Sequence, residues 1–205
     1  PCFTTDRLTL FATNGKVFTL KAGDLPRGRG DGQAVRLLAE LTNEDDIVTL
    51  FVAVEGMRYL VASTTGRGFI VPAAELLAEK RTGKQVLNLK PSEEAKLCVA
   101  ADGDHVAIIG ENRKLLVFPL DQVPEMARGA GVILQRYKDG ALADVRVLRI
   151  DEIGDSCVEL PEDHGIVFPG GYYLESGDFK HFRDLGHDFS GYRLKRTVRA
   201  PSAFS

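Results

Sequence analysis

Three stretches of this chain follow one plan. Phe11-Ala-Thr-Asn-Gly15-Lys16-Val17-Phe18-Thr19-Leu20 is matched by Ala62-Ser-Thr-Thr-Gly66-Arg67-Gly68-Phe69-Ile70-Val71. It returns as Val106-Ala-Ile-Ile109-Gly-Glu-Asn-Arg113-Lys114-Leu115-Leu-Val-Phe118. Each is an apolar run, a polar turn and a second apolar run, which is the signature of a β-hairpin. The downstream pieces repeat too: Gly32-Gln-Ala-Val35 matches Gly83-Lys-Gln-Val86, and each follows its turn glycine by 17 residues. Gly131-Val-Ile-Leu134 follows at a similar distance after the third hairpin. Further apolar strands are expected at 47–53, 95–99 and 143–148. A unit of about 50 residues with four strands describes a propeller-like blade.

The expectation is therefore an all-β, propeller-like β-pinwheel of repeated four-stranded blades. Residues 1–149 hold three blades, approximately 7–53, 58–100 and 105–149. Residues 150–205 form a divergent fourth blade or a C-terminal extension, with a strand-turn-strand hairpin at 164–174. Between the second and third strands lie connections at 21–30, 75–82 and 121–129, which read as loops on one rim. Residues 76–80 are a candidate for a short helix.

A 205-residue chain with 44% hydrophobic residues can bury a sizeable core. It has no apolar run of transmembrane length and no signal peptide is predicted. The first residue is not Met, which fits a fragment of something longer. Cys2, Cys98 and Cys157 are too scattered for a disulfide framework and suit a reducing cytosol.

The net charge of −3 excludes a uniformly basic nucleic-acid binder. The charge is unevenly placed: residues 1–149 carry 20 Lys+Arg against 19 Asp+Glu, and 150–205 carry 6 against 10. Local patches then set the field. Lys16, Arg67, Arg113 and Lys114 fall at the hairpin turns. Lys21, Arg27, Arg29, Lys80, Arg81, Lys84 and Arg128 fall in or beside the connections, with Arg136 and Lys138 after them. On repeated blades, equivalent positions share a rim, and cations spaced along a rim suit the phosphates of duplex DNA. The competing explanation is an ordinary solvated surface. Arg193, Lys195 and Arg199 share a strand face near the end, as a terminal DNA contact or an exposed last strand.

No catalytic constellation stands out. Gly28, Gly30 and Gly32 lack the βαβ context of a dinucleotide site, and no P-loop is present. Arg29-Gly30-Asp31 reads as a turn. Cys157, His164, His181 and His187 do not have the spacing of a closed zinc site, and His105 reads as structural. The acidic runs Glu44-Asp45-Asp46 and Glu93-Glu94 read as solvated turns. No cofactor or metal is expected.

The strings themselves add a resemblance. Phe11-Ala-Thr-Asn-Gly-Lys-Val-Phe, Leu25-Pro-Arg-Gly-Arg-Gly-Asp-Gly, Val61-Ala-Ser-Thr-Thr-Gly-Arg-Gly-Phe, Lys114-Leu-Leu-Val-Phe-Pro-Leu and Gly129-Ala-Gly-Val-Ile-Leu-Gln-Arg-Tyr-Lys-Asp-Gly resemble the C-terminal blades of the A subunits of the DNA gyrase and topoisomerase IV family. The match covers roughly residues 7–149 and is stronger to the topoisomerase IV branch. The gyrase box of Gln, basic residues and paired glycines is absent, since Arg27-Gly-Arg-Gly-Asp-Gly32 lacks the Gln and carries an Asp.

The resemblance implies a disc with blades that exchange strands and an edge that carries duplex DNA. It implies two protein partners, the remainder of the A chain of a type IIA topoisomerase and its ATPase B chain. It also implies a cytoplasmic, nucleoid-associated place. Strand cleavage then belongs elsewhere in the holoenzyme. Arg58-Tyr59 superficially resembles the family's cleavage tyrosine, but Tyr59 opens a strand and lacks the surrounding motif. Tyr137 after Arg136 reads the same way. The alternative function is a propeller-like protein-interaction module without DNA binding.

Overall fold

The computed structural model describes residues 3–26 and 31–149, and the backbone of three strands at 165–168, 172–175 and 194–196. The protein is all-β, with antiparallel sheets and, among the described residues, only short 3-10 turns. It forms two compact units. One comprises Pro1–Asp102 and Val123–Arg136, the other Gly103–Gln122 and Tyr137–Ser205.

The first unit holds two four-stranded sheets. β1 (Arg7–Ala12) and β2 (Lys16–Lys21) form a hairpin in which Phe11 faces Val17. β3 (Ile47–Val52) joins β1, so that Leu10 faces Leu50. The second sheet repeats this with β4 (Arg58–Ser63), β5 (Arg67–Pro72) and β7 (Ala95–Ala100).

The fourth strand of each sheet comes from the next repeat. β6 (Lys84–Gln85) pairs with β2, with Val17 facing Lys84. β10 (Val132–Ile133) pairs with β5, with Gly68 facing Val132. This exchange explains why part of the third repeat belongs to the first unit. The same segment is stitched further by Ile70 N–H to Pro124 O (3.0 Å) and Met126 N–H to Ile70 O (2.8 Å).

β4 and β5 read as continuous rather than alternating apolar runs, and β1 is buried from Leu8 to Ala12, even at Thr9, because these sheets are covered on both faces. Phe11, Val17, Tyr59, Val61, Phe69 and Val71 share one core with Leu76, Val86 and Leu87. On the other face of the first sheet, Leu8, Leu10, Phe18 and Leu20 pack with Ala39 and Leu41. Full burial of one such side chain stabilises by about 1.5–3 kcal/mol.

In the second unit, β8 (His105–Gly110), β9 (Leu115–Pro119) and β11 (Leu142–Leu148) make a three-stranded sheet in the order β11-β8-β9. Among the described residues, no strand pairs with the outer edge of β9. β12 (Gly165–Phe168), β13 (Tyr172–Glu175) and β14 (Leu194–Arg196) form another sheet, whose first two strands are the expected hairpin. Its order differs from the blades. β14 pairs with the second strand of the hairpin, whereas β3, β7 and β11 pair with the first.

Two local expectations are corrected. Residues 76–80 are not a helix; the short 3-10 turn lies at Ala73–Leu76. The segment from Gly32 matches the exchanged strands in sequence but is not a strand, and a 3-10 turn occupies Val35–Leu37. A two-residue strand exists only where a sheet edge receives it. β6 and β10 each have such an edge, and the segment at Gly32 has none among the described residues.

Candidate nucleic-acid interface

The three hairpin tips are built alike. Gly15 N–H donates to Ala12 O, Gly66 N–H to Ser63 O and Arg113 N–H to Gly110 O, at 2.9–3.0 Å. All three donor residues hold positive φ, 75° at Gly15, 77° at Gly66 and 62° at Arg113. Asn14 Oδ1 accepts from Lys16 N–H (2.9 Å), and Asn112 Oδ1 accepts from Lys114 N–H (3.1 Å). Lys16, Arg67 and Lys114 are therefore structural equivalents, as their spacing in the sequence predicts. Beside each tip the strand pairing shifts register, at Phe11/Ala12, Ala62/Ser63 and Leu142/Asp144. Such bulges re-aim the end of a hairpin.

In the first unit each tip has an acidic and a basic flank. Thr13 N–H donates to Asp46 O, and Asn14 Nδ2 donates to Asp45 Oδ2 (2.8 Å). At the second tip, Thr64 N–H donates to Glu94 O and Thr65 Oγ1 donates to Glu93 (2.5 Å). The acidic runs are thus more than solvated turns: they tie the incoming third strand to the tip. Burial opposes ionisation of Glu93, but the Thr65 hydroxyl, the Lys90 N–H and the charges of Lys90 and Arg67 hold its carboxyl below the ordinary value.

The opposite flank receives the exchanged strand. Gly15 O accepts from Val86 N–H and Leu87 N–H, and Gln85 Nε2 donates to Asn14 O (3.0 Å). Asn88 N–H donates to Gly129 O, while Gly129 N–H donates to Val86 O. Arg128 Nε donates to Asn88 Oδ1 (3.2 Å), and Arg67 donates to Ala130 O (3.4 Å) and Gly131 O (2.7 Å). A continuous hydrogen-bonded path therefore links the first tip to the second, and Lys16, Arg128 and Arg67 sit along it. Gln85 and Asn88 are the parts that sequence reasoning leaves without a role. Their signal is the repeated Gly83-Lys-Gln-Val-Leu-Asn-Leu string.

The remaining candidates divide by environment. Lys21, Lys80, Arg81, Arg113, Lys114, Arg128, Arg136 and Lys138 are exposed, and Lys16, Arg67 and Lys84 are half-buried. Arg81 also donates to Leu37 O (2.7 Å). Lys84 bonds Glu75 (2.5 Å), so its charge is offset locally. Arg67 and Lys84 thus also serve the fold, and reversing their charges would disturb it. Arg27 and Arg29 lie outside the described residues, as do Arg193 and Arg199.

The side chains suspected of chemistry have structural places. Tyr59 is buried, stacks on Phe51 at 4.8 Å and accepts from Val54 N–H at its hydroxyl. Burial raises the Tyr137 phenol well above its usual range. Cys98 is buried and its thiol is pushed up to about 12, so it is not a thiolate at neutral pH. His105 Nδ1 hydrogen-bonds Asp104 (2.8 Å). Among the described residues no group of three His, Cys, Asp or Glu could hold a metal, and no helix is long and apolar enough to cross a membrane. Cys2, Cys157, His164, His181 and His187 lie outside the described residues or carry no described side chain.

Comparison with known proteins places this arrangement. The family described as DNA gyrase C-terminal domain, beta-propeller, matches residues 6–53, 59–95 and 104–149. A second family, described as ATPase involved in DNA repair, matches residues 141–203. The A subunit of DNA topoisomerase 4 from Caulobacter vibrioides is 45% identical over 144 residues, 70% of this chain and 19% of that protein. The Rickettsia felis protein of the same name is 37% identical over 150 residues, 73% of this chain and 20% of that one. The chain thus spans about a fifth of the length of these relatives. The E. coli ParC C-terminal domain shares the fold with a TM-score of 0.68 at 20% identity, over 73% of this chain and 64% of that one. A C-terminal domain of DNA topoisomerase IV gives 0.64 at 18% identity, over 71% and 48%. On the three matched spans, the chain belongs to the family described as DNA gyrase C-terminal domain, beta-propeller.

Proposed function

We propose that this domain binds duplex DNA without sequence preference, along the cation-bearing flanks of its hairpin tips. The observation that carries this reading is the recurrence of Lys16, Arg67 and Lys114 at one position of one turn, with Arg128 between the first two tips. Lysine and arginine at fixed intervals meet phosphates without reading bases. In this reading the domain guides DNA across its perimeter and tunes which DNA topology the enzyme acts on. It works within the A chain of a type IIA topoisomerase, whose partner is an ATPase B chain, in the cytoplasm at the nucleoid. The chain itself carries no cleavage tyrosine and no nucleotide motif in this reading; catalysis lies elsewhere in the holoenzyme. Blade boundaries near 7–53, 58–100 and 105–149, with 150–205 as a fourth blade or an extension, remain part of the proposal.

The test is a mobility-shift series with linear and supercoiled DNA over increasing salt. Four phosphate contacts give a log–log slope of roughly −3.6, or about a hundredfold loss between 50 and 200 mM salt. Binding that ignores salt would overturn the phosphate reading. A second reading, a protein-docking surface, is favoured by one observation: β3 exposes Ile47 and Leu50, the latter to 50%, at the edge of the first sheet.

A further inference from the structure

The third tip departs from the other two in a way that singles out one side chain. Its turn has the same hydrogen bond, and the same positive φ, but the residue that holds it is Arg113 rather than glycine. Glycine adopts that conformation freely, whereas a side chain there crowds the backbone. Strain retained at one member of a repeat points to a task for the residue that holds it. The fold gives Arg113 none: it is exposed, and among the described residues its guanidinium makes no hydrogen bond or ion pair.

The surroundings point the same way. At the first two tips the turn carbonyl is capped by the exchanged strand, through Val86 and Leu87 N–H at Gly15 and Leu134 N–H at Gly66. The cations beside them are half-buried, and Arg67 is occupied with the carbonyls of Ala130 and Gly131. At the third tip no described strand lies along β9. On its other flank this tip is held by the third strand, with Glu111 N–H donating to Ala141 O, but Arg113 and its neighbour Lys114 stay exposed, and a planar fork of donors there suits a phosphodiester oxygen pair.

We infer that Arg113 is the phosphate anchor on which duplex binding depends most, held in place against the conformational preference of its own backbone. This rests on the DNA-binding reading above.

Two variants of the full 205-residue chain test it: Arg113→Gly and Arg113→Asn, both compatible with positive φ. Binding to a short linear duplex is followed by fluorescence anisotropy over a salt series, and stability by thermal unfolding. Lys96→Ala removes an exposed cation on β7 outside the proposed set and serves as the comparison. Arg113→Gly is expected to weaken binding about tenfold and to flatten the salt slope by about one. It is also expected to raise the unfolding midpoint by a few degrees. Arg113→Asn should lose the same affinity, and Lys96→Ala less than twofold. An Arg113→Gly protein that binds no worse than Lys96→Ala overturns the anchor while leaving DNA binding intact. An Arg113→Gly protein that melts earlier overturns the strain. If the unmodified chain shows no salt-dependent binding, the DNA reading itself fails and the anchor falls with it.

Discussion

The guanidinium of Arg67 lies 2.7 Å from the carbonyl oxygen of Gly131, a residue 64 positions further along the chain. The second hairpin tip thus grips the strand that it receives from the third repeat. Its place after the turn glycine predicts Arg67 as a DNA contact. Its half-buried position and its two carbonyl partners give it a structural task first. Arg67→Ala is expected to cost about 1.5–3 kcal/mol, the range for a hydrogen bond from a charged donor. Urea unfolding followed by circular dichroism measures this. A loss below about half a kcal/mol would mean that the grip contributes nothing.

The strand exchange also sets which glycines are indispensable. A Cβ on Gly15 would stand 2.2 Å from Leu87 O, at a φ of 75°. Gly32 has a φ of 81°, and a Cβ there would meet nothing within 4 Å. Gly15→Ala must both strain the backbone and displace the strand that delivers two N–H groups to Gly15 O. It should cost about 3–4 kcal/mol, and Gly32→Ala only the conformational part, about 1–2 kcal/mol. Equal losses in denaturant titration would show that β6 does not hold the first tip.

Much of this is legible in the sequence, and the illegible part has a definite cause. The hairpins, the third strands and the equivalence of Lys16, Arg67 and Lys114 follow from alternation and turn chemistry within each repeat. Strand exchange is expected only from the family resemblance and not from the local pattern, because Gly83-Lys-Gln-Val and Gly131-Val-Ile-Leu look like strands of their own blades. Nothing local says that their partners are Val17 and Gly68 in the preceding one. The same blindness makes the segment at Gly32 read as a strand: pattern alone does not register that no edge awaits it. The pairing of Lys84 with Glu75 is equally hidden, since the two are nine residues apart across a turn with no helical spacing.

Glu93 gives the fold a pH dependence with a predictable sign. Its carboxyl is held below the ordinary value of 4.5, so the folded protein binds its proton less readily than the unfolded chain does. The stabilisation is fully present above the ordinary glutamate range. It is lost as pH falls from there through the depressed folded value. Glu93→Gln should leave a shallower decline in urea midpoint on acidification, together with a lower midpoint at neutral pH. Because Glu93 is largely solvated, the effect is small and weakens in high salt. An unchanged acid limb would show that the bonds from Thr65 and Lys90 do not distinguish its two charge states.

The two exchanged strands are locked by opposite means, which makes the locks interchangeable. In the second sheet the tip residue Arg67 reaches out to the carbonyls of the incoming segment. In the first, the incoming residue Gln85 reaches back, donating to Asn14 O at 3.0 Å and to Leu87 O at 2.6 Å. The register makes the correspondence explicit: Gln85 faces Lys16, and Ile133 faces Arg67. An apolar residue suffices at Ile133 because the arginine opposite it supplies the donors. Gln85→Ile should therefore cost about 1–2 kcal/mol alone, for two amide bonds lost and Asn14 O left without that donor. Adding Lys16→Arg should restore roughly half of it, since an arginine there has the reach and the planar donors that Arg67 uses. A double-mutant cycle in urea is the measurement. Strictly additive effects would mean that residue 16 does not reach the exchanged segment, and that the two sheets hold their fourth strands by unrelated contacts.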